Sequence, residues 1–178
     1  LVAPFSMRKK FIDLIKRETM NAKGGKKAEI IAKMNSLVDP EIIALLYEAS
    51  KEGVVIKLII RGICCLYPHK NGLSENIQVV SIIGHFLEHS RIFWFYNDNN
   101  PEAYIGSADW MRRNLDRRIE AIVPIEDNIF KKKLHDLLIT YLNDSYFAWE
   151  MDSEGNYFKK KESPITNDSQ FELIEKWH

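Results

Sequence analysis

Apolar positions along the chain follow two different periods, and each period predicts a different kind of element. Over residues 7–22 apolar side chains recur every three or four positions, which predicts an amphipathic helix with Ser6 as its cap. Residues 28–34 alternate instead, so that odd and even positions would face opposite sides of a sheet. That alternation predicts a β-strand after the first helix.

A second strand follows across another predicted helix. Asp39 stands directly before Pro40, a combination typical of a helix start, and the apolar stripe behind it predicts a helix to about Ser50. Residues 54–60 are nearly all apolar and β-branched, as in a strand that is covered on both faces. Strand, helix and strand in this order predict a βαβ unit with parallel strands.

This βαβ unit brings polar side chains to one edge of the sheet. Lys33 and Asn35 end the first strand, and Arg61 follows the second. Open α/β sheets bind ligands beyond the carboxyl ends of their strands. We therefore expect these three side chains at a ligand site.

The rest of the chain completes an α/β fold, a mixed sheet flanked by helices. Residues 62–75 lack periodicity and predict a loop. Further strands are predicted at 77–83, 92–96, 103–106 and 119–123, a short helix or turn at 110–114, a helix over 128–143, a turn at 153–156 and an amphipathic end. The aromatic run 93–96 either belongs to the core or stacks a nucleobase.

Composition narrows the class of protein. A length of 178 residues fits a single domain over 1–178, and the opening residues 1–4 indicate the end of a strand cut from something longer. Lys+Arg and Asp+Glu both number 25, which argues against a nucleic-acid coat, although residues 1–33 hold nine cations and three carboxylates. The adjacent Cys64 and Cys65 fit a reducing cytoplasm, and no stretch is apolar enough to span a membrane.

A histidine supplies the first candidate chemistry. His89 is followed two positions later by Arg91, and Gly106-Ser107 comes further along. This spacing is similar to the His-x-Lys and Gly-Ser signature of the phospholipase D superfamily, with arginine in place of lysine. Imidazole can exchange a proton and arginine can hold phosphate oxygens, so both suit phosphoryl transfer. The alternative is a structural histidine beside a surface ion pair.

Six sequence blocks extend this comparison. They are 33–39 (KMNSLVD), 61–66 (RGICCL), 72–77 (GLSENI), 86–92 (FLEHSRI), 104–111 (YIGSADWM) and 113–120 (RNLDRRIE). In this order, over about residues 1–150, the chain resembles the polyphosphate kinase family, and within it the C-terminal phospholipase D-like domain.

The resemblance implies an enzyme that reversibly transfers the terminal phosphate of ATP to inorganic polyphosphate, leaving ADP. The phosphate would pass through a phosphohistidine in the preceding domain, so this chain alone would be inactive. Arg61 and His89 match positions that contact the nucleotide, with His89 as the catalytic acid or base. The resemblance also implies a cytoplasmic homo-oligomer, with Mg²⁺ held mostly outside this chain and no metal ligands within it.

Other polar residues could support this site. Asp109 and Ser107 could orient His89, or Asp109 could cap the short helix near residue 110. Arg118, with its neighbours Arg113 and Arg117, could extend a phosphate path or form a salt-bridged strand edge. The lysines at 159–161 are expected to be solvated.

Two other functions are also compatible with the sequence. The chain could be a phospholipase D-like phosphodiesterase in which two copies each supply His89 to a shared site. It could instead be a non-catalytic polyanion-binding module that uses the basic residues of its N-terminal third.

Overall fold

Nine strands form one mixed sheet, and five helices accompany it in the computed structural model, which describes residues 2–160 and 167–177. In chain order the elements are β1 (Val2–Ala3), α1 (Met7–Lys23), β2 (Glu29–Met34), α2 (Pro40–Lys51), β3 (Val55–Ile60), β4 (Ile77–Ile82), β5 (Arg91–Phe95), β6 (Glu102–Gly106), α3 (Arg112–Asp116), β7 (Glu120–Ile125), α4 (Asn128–Leu142), β8 (Ala148–Met151), β9 (Tyr157–Lys159) and α5 (Ser169–Trp177).

The strand order is β1-β7-β6-β5-β2-β3-β4-β8-β9. The central strands β2, β3 and β4 are parallel to one another, and every other neighbouring pair is antiparallel. This confirms the predicted βαβ unit, because β2 and β3 lie side by side with α2 between them in sequence. It also confirms the mixed sheet flanked by helices.

Each face of the sheet carries its own apolar core, because successive side chains of β2 point in opposite directions. Ile30 packs in the cluster that contains Phe11 of α1, whereas Ile31 packs in the cluster that contains Leu138 of α4. Phe93 and Phe95 are fully buried in the first cluster. These two aromatic residues are therefore core.

The predicted helix caps have different outcomes. The carboxylate of Asp39 accepts a hydrogen bond from the Ile42 amide at 3.1 Å, which confirms the cap of α2. Ser6 occupies the cap position of α1, but its hydroxyl bonds to the Val2 backbone and to no helix amide. The predicted cap position of Ser6 is confirmed, but its backbone is not extended and its oxygen is not aimed at a helix amide.

The hairpin of β8 and β9 extends the sheet beyond the predicted strands. β8 pairs with β4, and the turn predicted at 153–156 joins β8 to β9. Lys160 is not solvated as expected, because its ammonium donates to the Leu142 carbonyl at 2.6 Å; Lys161 lies outside the described residues. Across the ranges described, no helix combines the length and apolar character needed to cross a bilayer.

Candidate functional site

Four chain segments meet at one edge of the sheet. β5 runs antiparallel to β2, with Lys33 opposite Ile92, so the start of β5 lies beside the end of β2. β6 then returns to the same edge, where Gly106 pairs with Arg91. The residues that follow β2, β3 and β6 therefore converge on the segment that precedes β5, which carries His89.

The Arg61 guanidinium is in contact with the His89 ring at this edge. Arg61 Nη2 lies 3.1 Å from His89 Nδ1. A guanidinium can only donate, so Nδ1 must accept and the ring hydrogen of the neutral imidazole lies on Nε2. His89 is exposed. The structure therefore presents His89 as a hydrogen-bond donor at an open edge.

Asn35, directly after β2, holds the Arg61 guanidinium in place. Arg61 Nε donates to Asn35 Oδ1 at 2.7 Å, and Asn35 Nδ2 donates to Asp109 Oδ1 at 3.2 Å. Gly62 allows this approach, since an added Cβ would lie only 2.8 Å from the Asn35 carbonyl oxygen. No carboxylate pairs with Arg61 among the described ion pairs. The guanidinium thus keeps its charge available beside His89.

Asp109 also reaches the His89 segment by a second route. Its Oδ1 accepts from Arg91 Nε at 3.1 Å, and Arg91 Nη1 donates to the His89 carbonyl at 2.8 Å. The Asp109 side chain is buried, so these partners take up its charge. Asp109 therefore connects the hydrogen bonds that hold Arg61 with those that hold the His89 segment. The alternative that Asp109 caps α3 is wrong, because Met111 is the cap residue and no side chain caps that helix.

Lys33 lies at the predicted edge but is only 1% exposed. Its ammonium pairs with Glu88 Oε2 at 3.1 Å and donates to Ser90 Oγ at 2.8 Å. Burial lowers the pKa of Lys33, and the Glu88 carboxylate opposes that shift. Burial, together with Glu88, also raises the pKa of Tyr141 on α4. Lys33 thus holds the segment on either side of His89 and does not face the open edge.

Gln170 of α5 is a contributor that sequence reasoning missed. Its Oε1 accepts from the Phe86 amide at 2.9 Å, and its Nε2 donates to the Phe86 carbonyl at 2.8 Å and to Glu88 Oε1 at 2.6 Å. Three hydrogen bonds thus fasten the histidine segment to the last helix. The only sequence signal was an amphipathic terminal segment.

Ser107 and Arg118 lie outside this network. The Ser107 hydroxyl donates to Glu120, and Asp116 pairs with Arg8 at 2.6 Å. The predicted salt-bridged strand edge is wrong because other partners occupy both carboxylates. The three arginines concerned are exposed and have no ion pair within the described ranges: Arg113, Arg117 and Arg118.

Two cavities that could hold a ligand adjoin Arg61. A cavity of about 390 Å³ lies between Arg61 and residues 82–88, and a second of about 310 Å³ adjoins Arg61 and Trp149. The first volume is within the range of small-molecule sites. Within residues 2–160 and 167–177, no three His, Cys, Asp or Glu side chains are grouped to hold a metal ion.

Comparison with known proteins gives a consistent result. The family description "Polyphosphate kinase C-terminal domain 2" matches residues 1–170. The chain is 59% identical over 179 aligned residues to a polyphosphate kinase of Prochlorococcus marinus, covering 99% of this chain and 25% of that protein. It is 51% identical to a polyphosphate kinase of Dictyostelium discoideum, covering 98% of this chain and 16% of that protein. It thus spans about a quarter or less of these relatives.

Solved structures agree with the fold. The polyphosphate kinase of Porphyromonas gingivalis superposes with a TM-score of 0.96 at 40% identity, covering 99% of this chain and 27% of that one. Nuc of Salmonella typhimurium, a phospholipase D family member, has a TM-score of 0.61 at 17% identity, covering 85% of this chain and 95% of that one. The latter likeness supports the phospholipase D-like fold alone.

Proposed function

This chain belongs to the polyphosphate kinase family, as its C-terminal domain 2, and from this premise we propose that it is the C-terminal catalytic part of a longer ATP-polyphosphate phosphotransferase. The complete protein would move the terminal phosphate of ATP onto inorganic polyphosphate, and back to ADP. We further propose a cytoplasmic homo-oligomer, with the free thiols of Cys64 and Cys65 suited to a reducing compartment.

The observation that carries this proposal is the contact between Arg61 and His89. With Nδ1 accepting from Arg61 at 3.1 Å, His89 Nε2 bears a hydrogen and has no lone pair for attack on phosphorus. A neutral histidine so arranged donates a hydrogen bond through Nε2–H. The nucleophile must therefore come from elsewhere, and we assign it to a histidine outside this chain.

The transfer step follows from this division. The nucleophilic nitrogen forms a bond to the γ-phosphorus while the bond from γ-phosphorus to the bridging oxygen breaks, and ADP leaves with the electron pair. His89 Nε2–H donates a hydrogen bond to the bridging oxygen as its charge grows, which stabilises the leaving ADP. Supplying a proton would need the imidazolium form, whose Nδ1–H could not accept from Arg61. Arg61 holds non-bridging oxygens with a planar, permanently charged fork. Polyphosphate then takes the phosphoryl group from the phosphohistidine.

Magnesium does not fit a site built from the described residues alone. The carboxylates in the hydrogen-bond network of the His89 segment are Asp109 and Glu88, and both already bind cationic and amide partners. No third ligand is grouped with them there. We therefore derive no step through the ion, and we assign it to the phosphates and to the rest of the protein.

The two other functions have less support. A phospholipase D-like phosphodiesterase would need His89 as nucleophile, and the Arg61 contact leaves no lone pair on Nε2. A polyanion-binding module would need free cations in the N-terminal third, but most of those cations lie within ion-pair distance of a carboxylate. They are Arg8, Lys9, Lys10, Arg17, Lys23, Lys26 and Lys33.

Substrate turnover separates these functions. We expect the complete protein to lengthen polyphosphate from magnesium ATP, and this chain alone to show no turnover because it lacks the nucleophile. Neither should hydrolyse bis(p-nitrophenyl) phosphate. Phosphodiester hydrolysis by this chain alone would favour the phosphodiesterase, and binding of polyphosphate without any transfer by the complete protein would favour the binding module.

A further inference from the structure

A third cavity, of about 480 Å³, lies at the opposite edge of the sheet from His89. It adjoins Glu29 at the start of β2, the loop after β5 and the first half of α4. β2 is six residues long, so the two edges are separated by roughly 20 Å. The cavity is therefore distinct from the site described above.

The charges around this cavity leave two cations without counterions. Glu29 is the carboxylate in the lining, and Lys57 neutralises it at 2.8 Å. Lys132 is paired with Asp136, also at 2.8 Å. Lys27 and Lys131 have no carboxylate partner among the described ion pairs, and Lys131 is half-buried in the cavity wall. A half-buried ammonium without a counterion favours an anionic occupant.

The aromatic side chains of the lining do not suit a nucleobase. Trp94 is only 5% exposed, and the His135 ring packs on it with centroids 4.8 Å apart. Lys27 Nζ lies 4.5 Å from the centroid of the Tyr96 ring. Because Trp94 is buried and Lys27 already covers Tyr96, neither ring offers an open face on which a base could stack. Ammonium and amide groups remain, and these recognise phosphate oxygens without a base.

We propose that this cavity binds a distant stretch of the same inorganic polyphosphate chain whose end occupies the site at His89. The inference rests on the proposed function and adds a second phosphate-binding site to it. A chain long enough to reach both edges binds at two points, so the second contact forms at high effective concentration. A chain too short to span the sheet gains nothing from the cavity.

The test compares long and short polyphosphate as substrates of the complete protein. The measured quantity is the KM for short chains divided by the KM for long chains, with ADP as phosphate acceptor. We expect this ratio to fall by roughly tenfold in the double variant Lys27→Gln, Lys131→Gln, because the long chain loses its second contact. The matched control is Lys9→Gln, Lys16→Gln, which removes the same charge from exposed positions of α1. The ratio in that control should stay at the wild-type value.

Two results would overturn the inference: an unchanged ratio in the cavity variant, or an equal fall in the control. Failure of the proposed function looks different, since the wild type would then show no transfer at all. In that event the cavity is tested by fluorescence anisotropy with labelled long-chain polyphosphate. Weaker binding in the cavity variant alone would support the site, and equal binding in both variants would overturn it.

Discussion

Replacing His89 by alanine is expected to lower the kcat for polyphosphate synthesis by about 10²–10³, the usual cost of removing one hydrogen-bond donor to charge that develops in the transition state. The physical reason is the loss of the Nε2–H donor that the Arg61 contact fixes in place. Glutamine at this position should recover part of the rate, because its amide can also donate a hydrogen bond to the bridging oxygen. The measurement is steady-state synthesis from magnesium ATP by the complete protein.

The matched control for this variant is His69→Asn. His69 lies on an exposed loop with a positive φ that asparagine tolerates, so its loss should leave kcat unchanged. A wild-type kcat in His89→Ala would show that His89 takes no part in the reaction. A glutamine variant no better than alanine would contradict the hydrogen-bond role of His89.

Replacing Lys33 by alanine is expected to lower the free energy of unfolding by about 3–5 kcal/mol, the cost of leaving one member of a buried ion pair unpaired. Glu88 would lose its cationic partner, although Gln170 still donates to it. The measurement is urea unfolding of the complete protein, followed by hydrogen exchange of peptides from residues 83–95.

The control for Lys33 replaces both charges at once, as Lys33→Met with Glu88→Leu. Because apolar residues of similar volume can substitute for a buried pair at little cost, this double variant should recover most of the lost stability. If Lys33→Ala alone left exchange of the His89 segment unchanged, the pair would not hold that segment.

Local sequence patterns predicted the parts of the fold that depend on neighbours in the chain. The alternation in β2 follows from strand geometry, and the Asp39 cap follows from a carboxylate three residues before an amide that it can reach. The edge position of Asn35 and Arg61 follows from the parallel pairing of β2 with β3. These features need no knowledge of distant residues.

Predictions failed where a side chain had two possible partners and only the folded chain decides between them. Asp109 could cap a helix or accept from Arg91, and burial beside Arg91 decides for the second. Gln170 contacts Phe86 across 84 positions, so no local pattern reports it. Lys33 was predicted correctly at the edge, but its burial depends on an ion pair with Glu88, which lies in the segment before β5.

In the proposed reaction His89 donates a hydrogen bond while a histidine outside this chain carries the phosphate. The most direct test is to label the complete protein with ATP bearing radioactive phosphate in the γ position, quench at alkaline pH and map the phosphohistidine by mass spectrometry. We expect phosphate on a peptide outside residues 1–178, in the wild type and more slowly in His89→Ala. Phosphate on the peptide that contains His89 would contradict it.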